Sequence, residues 1–400
     1  MANPSLQGEF DPPVQSRVIF GLGKVATLKD EVVQLGGHRA LILSGKAVAE
    51  STSAVKQVAQ ALGDSCVGIY SGLSQRAPLA SAVAAAAMAV EKGADTLVGV
   101  GGSTVSDASR MIAVMIAEGI NTEARLRSLA EESQGTLRPD LAGKQLLYQV
   151  SIPTTLSAGE FNTGGGNVLD EQAGHKIRVR HPDLFANLIV LDPEMTEGTP
   201  DWLWLSTGVK AMDHCIERLY SAGNQPAIDA PILSAAEKLF RYLPRSREQD
   251  KDLDARLQCL LAAWLSMMGA PNFAMGLSHA MGHIIGVKYS VGHGYTSCVT
   301  QPYVMEYNRP ASAAKQALLA KAAGMDTDGL SDEAAAVDAA KAVDRFILEL
   351  GMPRRLRELE VPRADFLEIA QLTIGDGGCL TNPIPITDVE QVMEVLDSAF

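Results

Sequence analysis

Residues 276–294, GLSHAMGHIIGVKYSVGHG, hold three of the seven histidines in the chain. His279 and His283 stand four apart, a spacing that on a helix puts both imidazoles on one face, about 5–6 Å from each other. A loop containing Gly286 and Gly292 then brings His293 back toward the same point. Converging imidazoles bind a metal ion or move protons, because each neutral ring offers one donor and one acceptor nitrogen. The plainer alternative is three histidines satisfied separately in a polar interior. A third histidine set between two glycines tells against it.

A second stretch with chemical potential is GVGGST at 99–104, between a strand-like run and a helix expected to begin near Val105. Gly101 and Gly102 would let a phosphate approach the backbone, and the free N–H groups and dipole of the following helix would favour the anion. The spacing is not GxGxxG, and Thr104 with Asp107 also suits a variant capping box. Two readings therefore stand: a well-capped helix, or a pyrophosphate seat in which Ser103 and Thr104 donate and Asp107 orients the substrate or the nicotinamide. The later turn SIPTTLSAGE at 151–160 adds Thr154, Thr155 and Ser157. Lys176, in GHKIRVRHP, lies in a cationic patch from which it could reach a phosphate or a substrate carboxylate.

These residues need a scaffold, and the apolar pattern supplies one. Strand-like runs at 17–20, 39–44, 67–70, 96–100, 146–152 and 188–191 alternate with helix-forming stretches such as 24–36 and the alanine-rich 79–92. That alternation implies βαβ units and a parallel sheet, with both polar turns at its carboxyl edge, where open α/β sheets bind ligands. From about Thr196 the strand-like runs nearly vanish. Long apolar-periodic segments replace them, at 202–222, 228–243, 253–269, 274–286, 312–324, 333–350, 364–373 and 388–398. The expected fold class is α/β, with a Rossmann-like nucleotide-binding domain over 1–195 and an all-helical domain over 196–400.

Composition bounds the partners. The chain has 400 residues, 46% hydrophobic and 20% charged, enough for two domains with sizeable cores. Its formal charge of -13 disfavours a non-specific grip on nucleic acid or an anionic membrane. The five cysteines show no CxxC spacing, so neither a disulfide framework nor a thiolate zinc site is indicated, and a cytoplasmic setting is expected. A small-molecule partner is the expectation.

Taken together, the motifs resemble the iron-containing (group III) alcohol dehydrogenase superfamily, including its maleylacetate reductase branch, over nearly the whole chain. GGSTVSDASR resembles the family's GGGSxxDxAK, PTTLSAGE its PTTxGTxSE, and LDPEMTEGTP its DPxLTxxLP. STGVKAMDHCIE resembles TGxDALTHAIE, while LSHAMGHIIG and VGHGYTSCVTQPYVMEYN resemble HAMAHxLG and PHGxANAxxLPxVMxFN. Thr381-Asn-Pro383 matches the final NPR-type turn. The resemblance implies a nucleotide-binding α/β domain, a helical domain, hydride transfer between a nicotinamide and a carbonyl carbon, and a homodimer.

In metal-dependent members an Asp and a His four apart on one helix join two later histidines around a divalent ion. The matching positions here are Lys210, His214, His279 and His293, so three ligands persist and a lysine replaces the carboxylate. An ammonium beside a dication is repelled by several kcal/mol at an effective dielectric of ~20. Asp213 lies about 100° around the helix from His214 and would need a local distortion to take the ligand's place. The maleylacetate reductases, as the resemblance implies, work without metal and also lack that Asp.

The expected activity is therefore NAD(P)H-dependent reduction of a small oxo-acid without metal. Lys210 would polarise the carbonyl or hold a carboxylate, and one of His214, His279, His283 or His293 would supply the proton. The alternative is an iron- or zinc-dependent alcohol dehydrogenase acting on short alcohols and aldehydes, with His214, His279 and His293 as ligands. A nucleotide-binding protein that has lost its chemistry is a third reading. NAD-selective relatives often carry an acid at the position of Gly45; glycine there, with Lys46 beside it, would tolerate a 2′-phosphate, so NADPH is expected to serve as well as NADH.

Overall fold

The structure, a computed structural model, describes residues 16–74, 76–247, 252–269 and 275–400; the first residues of the expected nucleotide domain and of the 274–286 segment lie outside these. The chain divides after Pro200 into two compact units. The strands of the first are β1 (Arg17–Phe20), β2 (Ala40–Ser44), β3 (Cys66–Tyr70), β4 (Thr96–Gly101), β5 (Thr136–Leu137), β6 (Tyr148–Pro153), β7 (Gly165–Asp170), β8 (His175–Arg180) and β9 (Leu188–Leu191). Its helices are α1 (Leu28–Leu35), α2 (Lys46–Ser51), α3 (Ala54–Leu62), α4 (Leu79–Glu91), α5 (Ser103–Ala117) and α6 (Glu123–Glu132).

Six strands form one sheet in the order β1-β9-β6-β4-β2-β3, and every neighbouring pair is parallel. Helices cover both faces, which is why these strands are continuous apolar runs. In β2, Leu41 and Leu43 pack with Ala82, Val105 and Met111, while Ala40 and Ile42 pack with Leu28, Val32, Val55 and Val58. Alternate side chains thus feed two separate cores. The connections reverse direction between β2 and β4, and a crevice at such a point is where open α/β sheets take ligands. Ser44 pairs with Val100 and Gly101 with Pro153, so the turns after β2, β4 and β6 sit side by side.

A three-stranded sheet, β5-β8-β7, was not expected from the sequence. Its core is an antiparallel hairpin in which Ile177 and Val179 are buried and His175, Arg178 and Arg180 are exposed. The alternating pattern of HKIRVR is a strand signal that its charge had masked.

The second unit is built from α7 (Asp201–Tyr220), α8 (Pro226–Tyr242), α9 (Leu253–Leu265), α10 (Leu277–Lys288), α11 (His293–Ala322), α12 (Asp332–Glu349), α13 (Phe366–Thr373), α14 (Gly378–Thr381) and α15 (Val389–Ser398). Among the described residues, every strand lies before Asp192. Two expectations need correction. Gly286 lies inside α10 and leaves no loop there, and His293 is the first residue of α11. The segment expected over 312–324 is the end of that helix, which begins at His293 and runs unbroken through Pro302 and Pro310. Among the described residues, no helix is long and apolar enough to cross a membrane.

Candidate active site

In the first unit, α5 begins at Ser103 with Gly102 as N-cap, and no side chain caps it. The helix therefore starts earlier than Val105, and the Thr104–Asp107 capping box is not formed. Asp107 turns elsewhere: its carboxylate accepts from Arg110 Nη1 at 3.1 Å and from Asn167 Nδ2 at 2.8 Å. Arg110, almost wholly buried, also donates to the carbonyls of Gly159 (2.7 Å) and Gly165 (3.1 Å), so it braces the turns from beneath.

Ser103 N–H donates to Ser157 Oγ at 3.1 Å, and Ser157 Oγ lies 3.0 Å from Thr155 Oγ1. Thr154 N–H donates to the Gly101 carbonyl at 3.1 Å. A Cβ on Gly159 would come within 2.8 Å of Ser103 Cα, so the close approach of the two turns requires glycine. Lys176 is not plain surface: burial pulls its pKa down, opposed by the nearby Asp107 carboxylate. Gly45 caps α2, where a Cβ would lie 2.9 Å from the Leu73 carbonyl, and Lys46 stands exposed beside Glu50 at 3.9 Å. An uncapped helix N-terminus on a glycine turn, at the reversal of strand order, fits a dinucleotide's pyrophosphate.

In the second unit, α7 carries Lys210 and His214 four apart, and Asp213 and Glu217 four apart, giving two adjacent stripes. His279 and His283 project from α10 and His293 from the start of α11. The rings converge: centroids are 5.0 Å apart for His214 and His279, 4.7 Å for His279 and His293, and 5.3 Å for the stacked His283 and His293. A Cβ on Gly282 would lie 2.7 Å from His293 Cε1, so glycine is what lets that ring sit against α10.

The first turn of α10 is fixed by two side chains from elsewhere. Glu217 accepts from the N–H groups of Gly276 (2.8 Å) and Ser278 (2.7 Å). Asn382 accepts from Leu277 N–H at 3.3 Å and exchanges hydrogen bonds with Asn308 at 2.8 and 2.6 Å. The Asn-Pro turn is thus a clamp on the helix that carries two of the histidines. His283, more exposed, has Nδ1 2.8 Å from Asp376 Oδ2.

Charge separates the imidazoles. Burial lowers the pKa of His214 and His293 well below the usual value, and the nearby His279 and Lys210 lower both further. His279 is also buried, yet Asp213 first and Glu217 next outweigh that burial and hold it up to about 9. Its Nδ1 lies 3.0 Å from Asp213 Oδ2 and 3.2 Å from Glu217 Oε2, meeting neither in full hydrogen-bond geometry. The site therefore offers a protonated imidazole, two neutral ones and a lysine, an arrangement able to bind an anion and deliver a proton.

The four positions that would match a metal quartet do not suit a dication, because Lys210 supplies charge where a carboxylate is needed. Asp213, Glu217 and His279 do present ligand atoms within 4.8 Å of one another and could hold an ion. Both oxygens of Glu217 are already engaged by backbone N–H groups, however, and Asp213 Oδ2 accepts from Ser297 Oγ at 2.6 Å.

Against this geometry, the comparisons are specific. Residues 15–193 match the iron-containing alcohol dehydrogenases, and residues 204–400 match the C-terminal region of the Fe-containing alcohol dehydrogenase family. The chain belongs to the iron-containing alcohol dehydrogenase family. It is an NAD(P)-dependent dehydrogenase or reductase of that family.

The dehydrogenase ALT3 of Alternaria alternata is 30% identical over 392 residues, covering 91% of this chain and 99% of that one. A maleylacetate reductase of Sphingobium indicum is 27% identical over 396 residues, covering 98% and 97%. The crystal structure of a 1,3-propanediol oxidoreductase superposes with a TM-score of 0.88 at 25% identity, over 98% of this chain and 100% of that one. A relative named as a maleylacetate reductase and one named as a diol oxidoreductase both align end to end, so likeness gives the family and the branch must come from the site.

Sequence reasoning had given no role to Glu217, Ser297 or Asn167, and had met Asn382 and Arg110 only as positions within matched motifs. The four-residue spacing from Asp213 to Glu217 was the available signal for Glu217. Ser297 and Asn167 act through contacts between distant segments, and nothing local marks them.

Proposed function

We propose that the protein is an NAD(P)H-dependent reductase of the carbonyl of a small oxo-acid, close in activity to maleylacetate reductase, working without a metal ion. The observation that carries this reading is Lys210, which stands in the carboxylate ligand's place and is close enough to His214 and His293 to depress their basicity. The turns at 101–104 and 154–157, with Gly45, Lys46, Asp107 and Lys176, would hold the dinucleotide, which when bound supplies the hydride. Lys210 would hold the substrate carboxylate or polarise the carbonyl oxygen. Among the buried imidazoles His214, His279 and His293, His279 is the one whose basicity neighbouring carboxylates raise, and it would give its proton to the developing alkoxide.

A metal-dependent alcohol dehydrogenase is the second reading, favoured by the buried Asp213, Glu217 and His279 group. Elemental analysis of protein purified without added metal, with turnover on oxo-acids and short aldehydes before and after chelation, separates the two. We expect chelation to leave oxo-acid reduction within about twofold. A tightly held ion whose removal abolishes turnover would sink the metal-free reading.

The exposed Lys46 gives a cofactor prediction. Lys46→Glu should raise KM for NADPH about tenfold or more, since an acid there repels a 2′-phosphate, while KM for NADH changes little. Equal effects on both cofactors in steady-state assays would remove Lys46 from the cofactor site.

A further inference from the structure

Asp213 stands on α7 one turn after Lys210 and is fully buried. Its Oδ2 accepts from Ser297 Oγ at 2.6 Å and lies 3.0 Å from His279 Nδ1, while its Oδ1 has no hydrogen-bond partner. Ser297 has only one proton to give, and the shorter contact assigns it to Asp213 over the His293 carbonyl at 3.3 Å. The other carboxylate near His279, that of Glu217, already accepts a backbone N–H at each oxygen. Asp213 Oδ2 and Glu217 Oε2 thus each already hold one donor; Asp213 is the nearer of the two to His279 Nδ1, and its second oxygen is uncommitted. The motifs that these segments resemble carry threonine at 213 and asparagine at 297, so neither member of the pair comes with the resemblance.

We propose that Asp213, held by Ser297, is the positioning residue of the reaction: it engages His279 Nδ1 and leaves Nε2 as the nitrogen that meets the substrate. The inference rests on the reading in which His279 meets the substrate, and what carries it is the 3.0 Å approach of Asp213 Oδ2 to His279 Nδ1. Which nitrogen of an imidazole is free to act is set by the bond the other one makes. Here the 3.0 Å contact between Asp213 Oδ2 and His279 Nδ1 ties α7 to α10, and the Ser297 hydroxyl ties the same carboxylate to α11. The lysine at 210 and the carboxylate at 213 thus exchange the usual tasks: the cation faces the histidines that would have bound an ion, and the anion orients one of them. In the reductive direction the hydride enters at the carbonyl carbon, the C=O π pair moves to oxygen, and that oxygen takes the Nε2 proton.

Asp213→Asn keeps the side chain's size and an oxygen to accept from Ser297 but removes the charge. In full-length protein with 15N-labelled histidine, wild type should show a downfield Nδ1 proton that is absent from His279→Gln, and Asp213→Asn should lose or shift it upfield. Turnover of succinic semialdehyde or pyruvate with NADPH should fall about 10–100-fold in kcat, with KM changed less than about threefold. Ser297→Ala, which leaves the carboxylate in place, should give the same changes in weaker form and guards against misfolding of the first variant. An unchanged Nδ1 resonance in both folded variants overturns the proposal, whatever the substrate. If the resonance responds but neither oxo-acid is reduced by wild type, the lock stands and the oxo-acid reading is what fails. If His279→Gln abolishes oxo-acid turnover while Asp213→Asn keeps full kcat, the reading stands and the lock fails.

Discussion

Lys210→Asp is expected to create a dependence on divalent metal that the parent enzyme, in the reading proposed above, does not have. An aspartate at that position would stand four residues before His214 on α7 and complete the carboxylate and three histidines that the resembled motif uses. The same change removes the cation proposed to stabilise the substrate's negative charge. Metal-free turnover of an oxo-acid should therefore fall about 10²–10³-fold, the size seen when one group that stabilises developing charge is lost. Protein from medium supplemented with iron or zinc should then carry close to one ion per subunit, with turnover abolished by chelation. Lys210→Met is the control, because it loses the charge without gaining a ligand: it should show the same drop and no ion. If Lys210→Asp retains parental, chelator-insensitive turnover, Lys210 has no part in the chemistry.

Why the sequence disclosed some of this and hid the rest follows from how each feature is encoded. β2, β4 and β9 were legible because a parallel strand covered on both faces is an uninterrupted apolar run. The hairpin β7–β8 was not, since Gly165 and Gly166 look like a turn and the charges of HKIRVR look like surface. Of α11 only the stretch from 312 on was read as helical; the part before it carries two prolines, which tertiary packing tolerates. The convergence of His279, His283 and His293 could be seen from spacing and is present in the fold.

What spacing could not show is which partner each nitrogen faces. Asp213 was weighed as a stand-in ligand beside His214; instead its carboxylate lies against His279, from another helix. Asn382 is more than a hundred residues from the helix it clamps. Such contacts depend on three-dimensional register between segments, and a local window holds no trace of it.

Glu217→Ala should be the most destabilising single change near the site. Glu217 is fully enclosed and gives one oxygen each to the N–H groups of Gly276 and Ser278, opposite the positive end of the α10 dipole. Alanine would leave two buried donors unsatisfied, each worth about 1.5–3 kcal/mol when the acceptor is charged. We expect a loss of roughly 3–5 kcal/mol. For a unit of this size that lowers Tm by roughly 10 °C, measurable by circular dichroism at 222 nm. Glu217→Gln keeps one carbonyl oxygen and the packing, so it should cost about half as much. It also removes one of the two negative groups facing His279 and leaves Asp213 to hold the imidazole alone. Thermal stability and turnover should therefore separate: Glu217→Gln should lose more Tm than kcat, and Asp213→Asn the reverse. If the two variants lose stability and rate in the same proportion, the carboxylates act as one unit and the division of labour between cap and orienting group is wrong.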